Sequence, residues 1–342
     1  MERQSILVDD EIIEERKVIT KVDKVEKQLI DDVPYGYVPI ELKSRGKLSL
    51  PRIIHVKDYN VDDALKLSIS QGDNDSFLKA LLGILEKNTY EKIDVLSLHE
   101  KELEEILITL TNNFWAKSLD KVYPLEMDEF NTFNEEQQKV ILEDEETKTV
   151  TIPISKLNLD YIKEEFHEPI KIESKDKKLS IEMRLSRVGD TLRAADYVTD
   201  YFYNEEKKYE DVKDAIAYNN TLKKGQEKKD ILPSKMKEYR EFSQSKAALF
   251  LKVIQSLCIV SYNGKKIESL EEALKCNIPQ SIWGNYTKFV EDNCNFGLVN
   301  EIEVKSPYTN KSIVRRFHFQ FLEFLPDFNS QNDEGSIISF SS

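Results

Sequence analysis

EIEVKSPYTNKSIVRRFHFQF, Glu301 to Phe321, alternates apolar and polar residues on both sides of a polar turn. Ile302 and Val304, with Leu298 ahead of them, form one alternating row; Ile313, Phe317, Phe319 and Phe321 form the other. A period of two marks strands that bury one face. Two antiparallel strands joined through Ser306-Pro307-Tyr308-Thr309 are therefore expected, in a chain whose other segments carry helix signals.

A turn of this outline is where a zinc ribbon carries a Cys-Pro-x-Cys knuckle, two thiolates tied to one cation. Here Ser306 and Thr309 stand in the thiolate places; both are poor zinc ligands, and their neighbours offer no replacement. We expect a zinc-ribbon-like hairpin without metal. Pro307, local hydrogen bonds at Asn310 and cross-strand packing are expected to hold its turn.

Upstream of the hairpin, Pro279 starts a helix with Ile282, Tyr286, Phe289 and Val290 apolar, and Ser269 caps a shorter one. Asn263-Gly264 between short β-type runs signals a type I′ hairpin. A helix from Ser234 to Leu257 is expected to face the core with Ala247, Ala248, Phe250, Leu251, Ile254 and Leu257. Before it, NNTLKKGQEKKDILPS (219–234) is a solvated connector and the best internal boundary. A long helix opens at Gly189-Asp190 and continues, with a break, to Asn219. TVTIPISKL, PIKIES and LSIEMRLSR read as three strands of a meander or small sheet.

Nearer the N-terminus, YGYVPIEL and PRIIHVKDY read as two strands joined by a turn that contains Gly46. Asn60 caps VDDALKLSIS, a second helix covers Ser76 to Glu86, and a third runs from His99 to Leu119. The third places Leu103, Ile106, Leu107, Leu110, Phe114 and Trp115 on one stripe. Residues 121–148 are acidic and loop-like. The fold class is α+β, helical blocks packed with small antiparallel sheets. Its expected parts are a charged N-terminal arm (1–35), a strand pair plus helical block (36–145) and a small β-sheet with a long helix (146–225). A helical domain with β-hairpins (226–328) and a polar tail (329–342) complete it.

A formal charge of -14 argues against nucleic acid, since phosphate binding needs an excess of Lys and Arg. No apolar run reaches the roughly 18 residues of a membrane span, and the N-terminus lacks the apolar region of a signal peptide. A soluble protein of a reducing cytoplasm is expected. Cys258, Cys276 and Cys294 follow no metal or disulfide spacing and read as ordinary buried thiols.

Signatures of chemistry are missing. His55, His99, His167 and His318 have no partner at a ligand spacing; LHEKELEE lacks the second His of a zinc helix because position 103 is Leu. There is no nucleophile elbow, phosphate loop or dinucleotide fingerprint. We assign no catalytic, cofactor-binding or metal-ligating residue, and expect no cofactor and no enzyme. Three aromatic clusters, YVTDYFYNEEKKY, FNTF and FHFQFLEF, read either as core or as an assembly surface.

The order of segments ELKSRGKLSLPRIIHVKDYNVDDALKLS, KTVTIPISKL, IKIESKDKKLSIEMRLSRVGDTLRAAD and FLEFLPDF resembles the T-even-type phage baseplate hub proteins. The likeness spans residues 36–328. Members often carry Cys-Pro-x-Cys knuckles near both β segments, where this chain has EDEETKTV and SPYT. The resemblance implies the fold of that family and a structural or assembly subunit in the central baseplate of a contractile tail. Such a virion protein would be made in the host cytoplasm and would act by binding other tail and baseplate proteins. Whether it is oligomeric in the assembled particle stays open. Alternatives are a non-virion assembly chaperone and, from another class, a hydrolase with a dispersed carboxylate site.

Overall fold

The computed structural model describes residues 33–48, 50–70, 74–115, 117–143, 147–221, 228–319 and 321–325. The arm expected over 1–35 lies outside the described residues up to residue 32, and so does the tail 329–342. Helices alternate with short antiparallel strands, an α+β arrangement.

Strands β1 (Tyr37–Glu41) and β2 (Ile53–Lys57) pair antiparallel, with Tyr37 opposite Lys57. Helices α1 (Val61–Ser70), α2 (Asn74–Asn88) and α3 (Glu100–Leu110) follow. Asn60 caps α1 as its sequence indicates: its Oδ1 accepts from Asp63 N at 2.9 Å, and Asp63 Oδ2 accepts from Asn60 N at 3.2 Å. Phe77, Leu81, Leu82 and Leu85 of α2 and Leu103, Ile106, Leu107 and Leu110 of α3 share one core with Ile40, Ile54 and Val56. The helical period read from sequence puts these residues inside.

The helix expected to reach Leu119 stops at Leu110 and gives way to one π turn, Thr111–Trp115. Thr111 supplies the reason. Its buried hydroxyl sits between the Leu107 carbonyl, 2.7 Å away, and the Phe324 carbonyl, competing with the helical ladder. Strand β3 (Ser118–Val122) comes next, and the segment expected to be loop-like carries helices α4 (Met127–Phe130) and α5 (Glu135–Glu143). Strand β4 (Thr149–Pro153) pairs with β3, so TVTIP does not join a meander with the two strands after it.

After β5 (Leu159–Asp160), strands β6 (Ile170–Glu173) and β7 (Ser180–Met183) form a hairpin. Helices α6 (Val188–Glu206), α7 (Glu210–Asn220) and α8 (Pro233–Leu257) intervene before β8 (Ile259–Tyr262) and β9 (Lys265–Lys266). The sheet order is β6-β7-β8-β9, so one sheet draws strands from both sides of residues 225 and 226. The β8–β9 turn has Asn263 at φ 50° and Gly264 at φ 76°, the left-handed pair that a type I′ turn requires.

On α8 the buried row is Phe242, Val253 and Ser256, flanked by half-buried Leu249, Phe250 and Leu257. Ala247, Ala248 and Leu251, expected inside, are exposed. The rotation follows from Phe242 closing a small cluster with Val198 and Phe202 of α6, and from Lys246 turning in to Glu206 at 3.0 Å.

Helices α9 (Leu270–Leu274) and α10 (Gln280–Asn293) bring Ala273 and Ile282 to the second core, which also holds Cys258, Cys294 and Phe296. Strand β10 (Gly297–Leu298) pairs with β5. The terminal hairpin is β11 (Glu301–Lys305) with β12 (Ser312–Arg316), in register from Glu301 opposite Arg316 to Lys305 opposite Ser312. Its Ile302 and the following Phe317 pack on Ile152 of β4. Among the described residues no helix is long and apolar enough to cross a membrane.

Candidate functional site

Ionisable side chains gather where the two large cores meet. His99 is the N-cap of α3; its Nδ1 accepts from Lys101 N at 3.1 Å, while Glu102 accepts from His99 N at 3.0 Å. A ring nitrogen used as an acceptor fixes the imidazole as neutral on that side. Burial, then the positive charges of Arg187 and Lys101, push its pKa down to about 3. Burial also raises the pKa of Glu102, which is fully buried. One turn on, Glu105 accepts from Lys43 N with both oxygens, at 3.0 and 2.9 Å, and burial pushes it up to about 7.

The opposite wall is the segment Arg184 to Asp190. Arg184 grips Asp190 with two parallel bonds, Nη1 to Oδ2 at 2.6 Å and Nη2 to Oδ1 at 2.9 Å, and also donates to the Leu257 carbonyl at 3.0 Å. Asp190 in turn accepts from Arg187 N at 2.8 Å, which caps α6. Arg187 pairs with Glu168, whose other oxygen accepts from Leu185 N at 2.7 Å. Gly189 between them is required by close approach: a Cβ there would meet the Leu96 carbonyl oxygen at 2.7 Å. The Val-Gly-Asp stretch thus fastens α6 to the segment before α3, with Val188 N donating to the Leu98 carbonyl at 2.8 Å.

A second buried polar centre lies beneath the terminal hairpin. Glu129 of α4 accepts from Tyr123 OH at 2.5 Å, from Thr309 Oγ1 at 3.2 Å, from Arg315 Nη2 at 3.0 Å and from the Ser306 hydroxyl. Ser306 Oγ also accepts from Tyr308 N and Thr309 N, each at 3.1 Å, and so shapes the turn. Burial works against the Glu129 carboxylate, but the bonds from Ser306, Tyr123, Arg315 and Thr309 outweigh it and hold its pKa below the ordinary value. Arg315 is buried and reaches Asp128 at 3.0 Å as well. The turn is expected to rest on Pro307, local hydrogen bonds at Asn310 and cross-strand packing; Asn310 N does donate to the Ser306 carbonyl at 2.9 Å and the two strands pair in register, and the Glu129 carboxylate is a further support that the expectation lacks. Glu129 went unnoticed within MDEFNTFNEEQQ, although the gap at Arg315 in the inward row Ile313, Phe317, Phe319 signals a buried carboxylate.

The histidines separate. His55 is buried on β2, its Nδ1 2.6 Å from Glu91 Oε1 and its backbone N donating to Glu91 Oε2 at 2.8 Å. His167 and His318 are exposed. Cys258 and Cys294 sit in the second core, where burial pushes both thiols up to about 12; half-buried Cys276 packs against it. Such thiols are poor nucleophiles. Among the described residues no group of three or more His, Cys, Asp or Glu side chains is placed to hold a metal ion.

Two hollows of about 580 and 300 Å³ adjoin at Gln255 and Trp283, between α8, α9 and α10. Lys288, Glu291 and Asp292 line the first, and Lys252, Lys275 and Cys276 the second. None of the buried carboxylates of the two polar centres lines either hollow. Of the aromatic clusters, FHFQFLEF buries Phe317 and Phe324, whereas YVTDYFYNEEKKY divides: Phe202 is buried, and Tyr201 and Tyr203 are 67% and 58% exposed. No family model, no curated protein and no solved structure matches the chain.

Proposed function

We propose that the chain is a structural or assembly subunit of a contractile phage tail, placed in the central baseplate and acting by protein–protein binding. The segmental resemblance over residues 36–328 supports the family. The distribution of side chains supports the mode of action. Buried carboxylates and guanidinium groups are engaged with caps, turns and segment junctions, away from the two hollows. Large apolar residues are meanwhile left on outer faces: Tyr201 and Tyr203 on α6, and Val140 and Leu142 on α5. Exposed aromatic and aliphatic groups beside charged ones are the composition of surfaces that meet other proteins.

The terminal hairpin fits the same reading as a zinc-ribbon-like element in which an ion pair takes the structural place of a metal. Zinc does not suit this donor set, because the two hydroxyls already bind a carboxylate that also carries the Arg315 guanidinium. Mass spectrometry of purified contractile particles from the source phage tests the proposal. The chain is expected among the particle proteins. Its absence there, with tail formation still dependent on it, would make it a non-virion assembly chaperone instead.

A further inference from the structure

Helix α1 is built inside out. Its inward side carries Asp63, fully buried and bound by Lys87 Nζ at 2.9 Å and the Asn88 amide at 3.1 Å, with Leu67 as the buried aliphatic residue. Its outward side carries Val61, Leu65 and Ile69, which are 84%, 59% and 76% exposed. Their spacing of four residues sets them in one row along the helix. An aliphatic row in water is unfavourable in proportion to its area, so a cover is expected.

The entry point of the chain identifies one. Tyr37, the first residue of β1, is paired with Lys57, which only Asp58, Tyr59 and Asn60 separate from Val61. Residues 33–36 therefore enter the fold at the end of the sheet from which the link to α1 leaves. That preceding chain contains VITKVDKVEKQL, residues 18–29, with apolar residues at Val18, Val22, Val25 and Leu29. Spacings of four, three and four residues are those of a seam between two helices. Lys21 and Glu26 flank that seam, and exposed Asp62, opposite in sign to Lys21, borders the row on α1. The link from residue 30 to residue 36 extends to about 25 Å at most, ample for a ten-residue helix about 15 Å long.

We propose that residues 18–29 of the same chain seat their valine–leucine row on Val61, Leu65 and Ile69. A second copy fits less well. Three aliphatic side chains fall well short of the ~800 Å² per partner that a stable interface buries. A tethered segment needs no such area, because a short linker holds it at an effective concentration in the millimolar range. The inference is independent of the tail reading.

Photocrosslinking of the full chain tests it, with Leu65→p-benzoylphenylalanine as the probe. Leu65 is exposed, so the fold tolerates the substitution. Digestion and mass spectrometry of the irradiated monomer should recover crosslinks to peptides within residues 17–30, reduced at least tenfold by the further change Val22→Asp with Val25→Asp. A crosslinked dimer would give the row to a second copy. Crosslinks elsewhere in the chain, or none, would overturn the proposal. Amide exchange gives a separate readout: residues 61–70 should exchange several-fold faster in V22D/V25D than in the natural chain, and equal rates would count against the contact.

Discussion

Replacing Glu129 by glutamine keeps the shape of the side chain and removes the charge on which the terminal hairpin rests. Four donors converge on that carboxylate: the Tyr123, Ser306 and Thr309 hydroxyls and the Arg315 guanidinium. An amide accepts through one oxygen only, and its NH2 group would face another donor. Removing one partner of a buried ion pair costs about 3–5 kcal/mol when the other is left unpaired. Asp128, 3.0 Å from Arg315, remains to neutralise the guanidinium from the solvent side. The lower end of the range therefore applies, about 3 kcal/mol for Glu129→Gln. Urea unfolding at neutral pH, read with amide exchange over residues 301–316, would measure it. Glu126→Gln serves as control, because Glu126 is half exposed and lies 3.7 Å from Arg315; it should change stability by less than about 0.5 kcal/mol. Acid adds a sign test. Since the folded Glu129 pKa lies below its unfolded value, its contribution is present above the ordinary carboxylate range and is lost as pH falls through the folded pKa. A Glu129→Gln protein as stable as the natural chain, with unchanged exchange in the hairpin, would refute this account of how the turn is held.

Glu105 should behave in the opposite sense. Its folded pKa, about 7, exceeds the ordinary 4.5, so stability is full below the ordinary value and declines as pH rises through the folded one. The loss by pH 9 is on the order of 3 kcal/mol, and Glu105→Gln should flatten the profile in thermal melts across pH 5–9 if the reasoning holds. Gly189→Ala should cost about 1–3 kcal/mol through overpacking, because the added methyl meets the Leu96 backbone rather than a flexible side chain; a neutral effect in chemical denaturation would mean the junction opens easily. Elemental analysis of the purified protein should find no stoichiometric zinc, and one bound equivalent would overturn the reading of the hairpin.

Much of the fold was legible because apolar spacing is a local signal. The rows of α2 and α3, the Asn60 and Ser269 caps and the Asn263-Gly264 turn all formed where the residues indicate. β3 was hidden: SLDKV offers one buried aliphatic residue, Leu119, and follows an apolar helix whose end depends on the distant Phe324 carbonyl. The partners of β7 were equally invisible, since the sheet joins Ile181 to Tyr262 across three intervening helices. Glu129, Glu102 and Glu105 could not be told from the other acids of a chain with 63; only tertiary packing decides which carboxylates lose their water. Arg315 was the exception, a charged residue at an inward strand position that calls for a buried partner.

The central claim is that this chain works by presenting surface to companion proteins inside a contractile tail. A density map of intact contractile-tail baseplates from particles whose genome encodes the chain tests that most directly. The claim predicts density matching the α+β fold near the baseplate centre, with neighbouring subunits seated against outer faces such as that of Tyr201 and Tyr203. A baseplate fully accounted for by other chains, together with a purified protein that turns over a small substrate in the hollow beside Trp283, would contradict it.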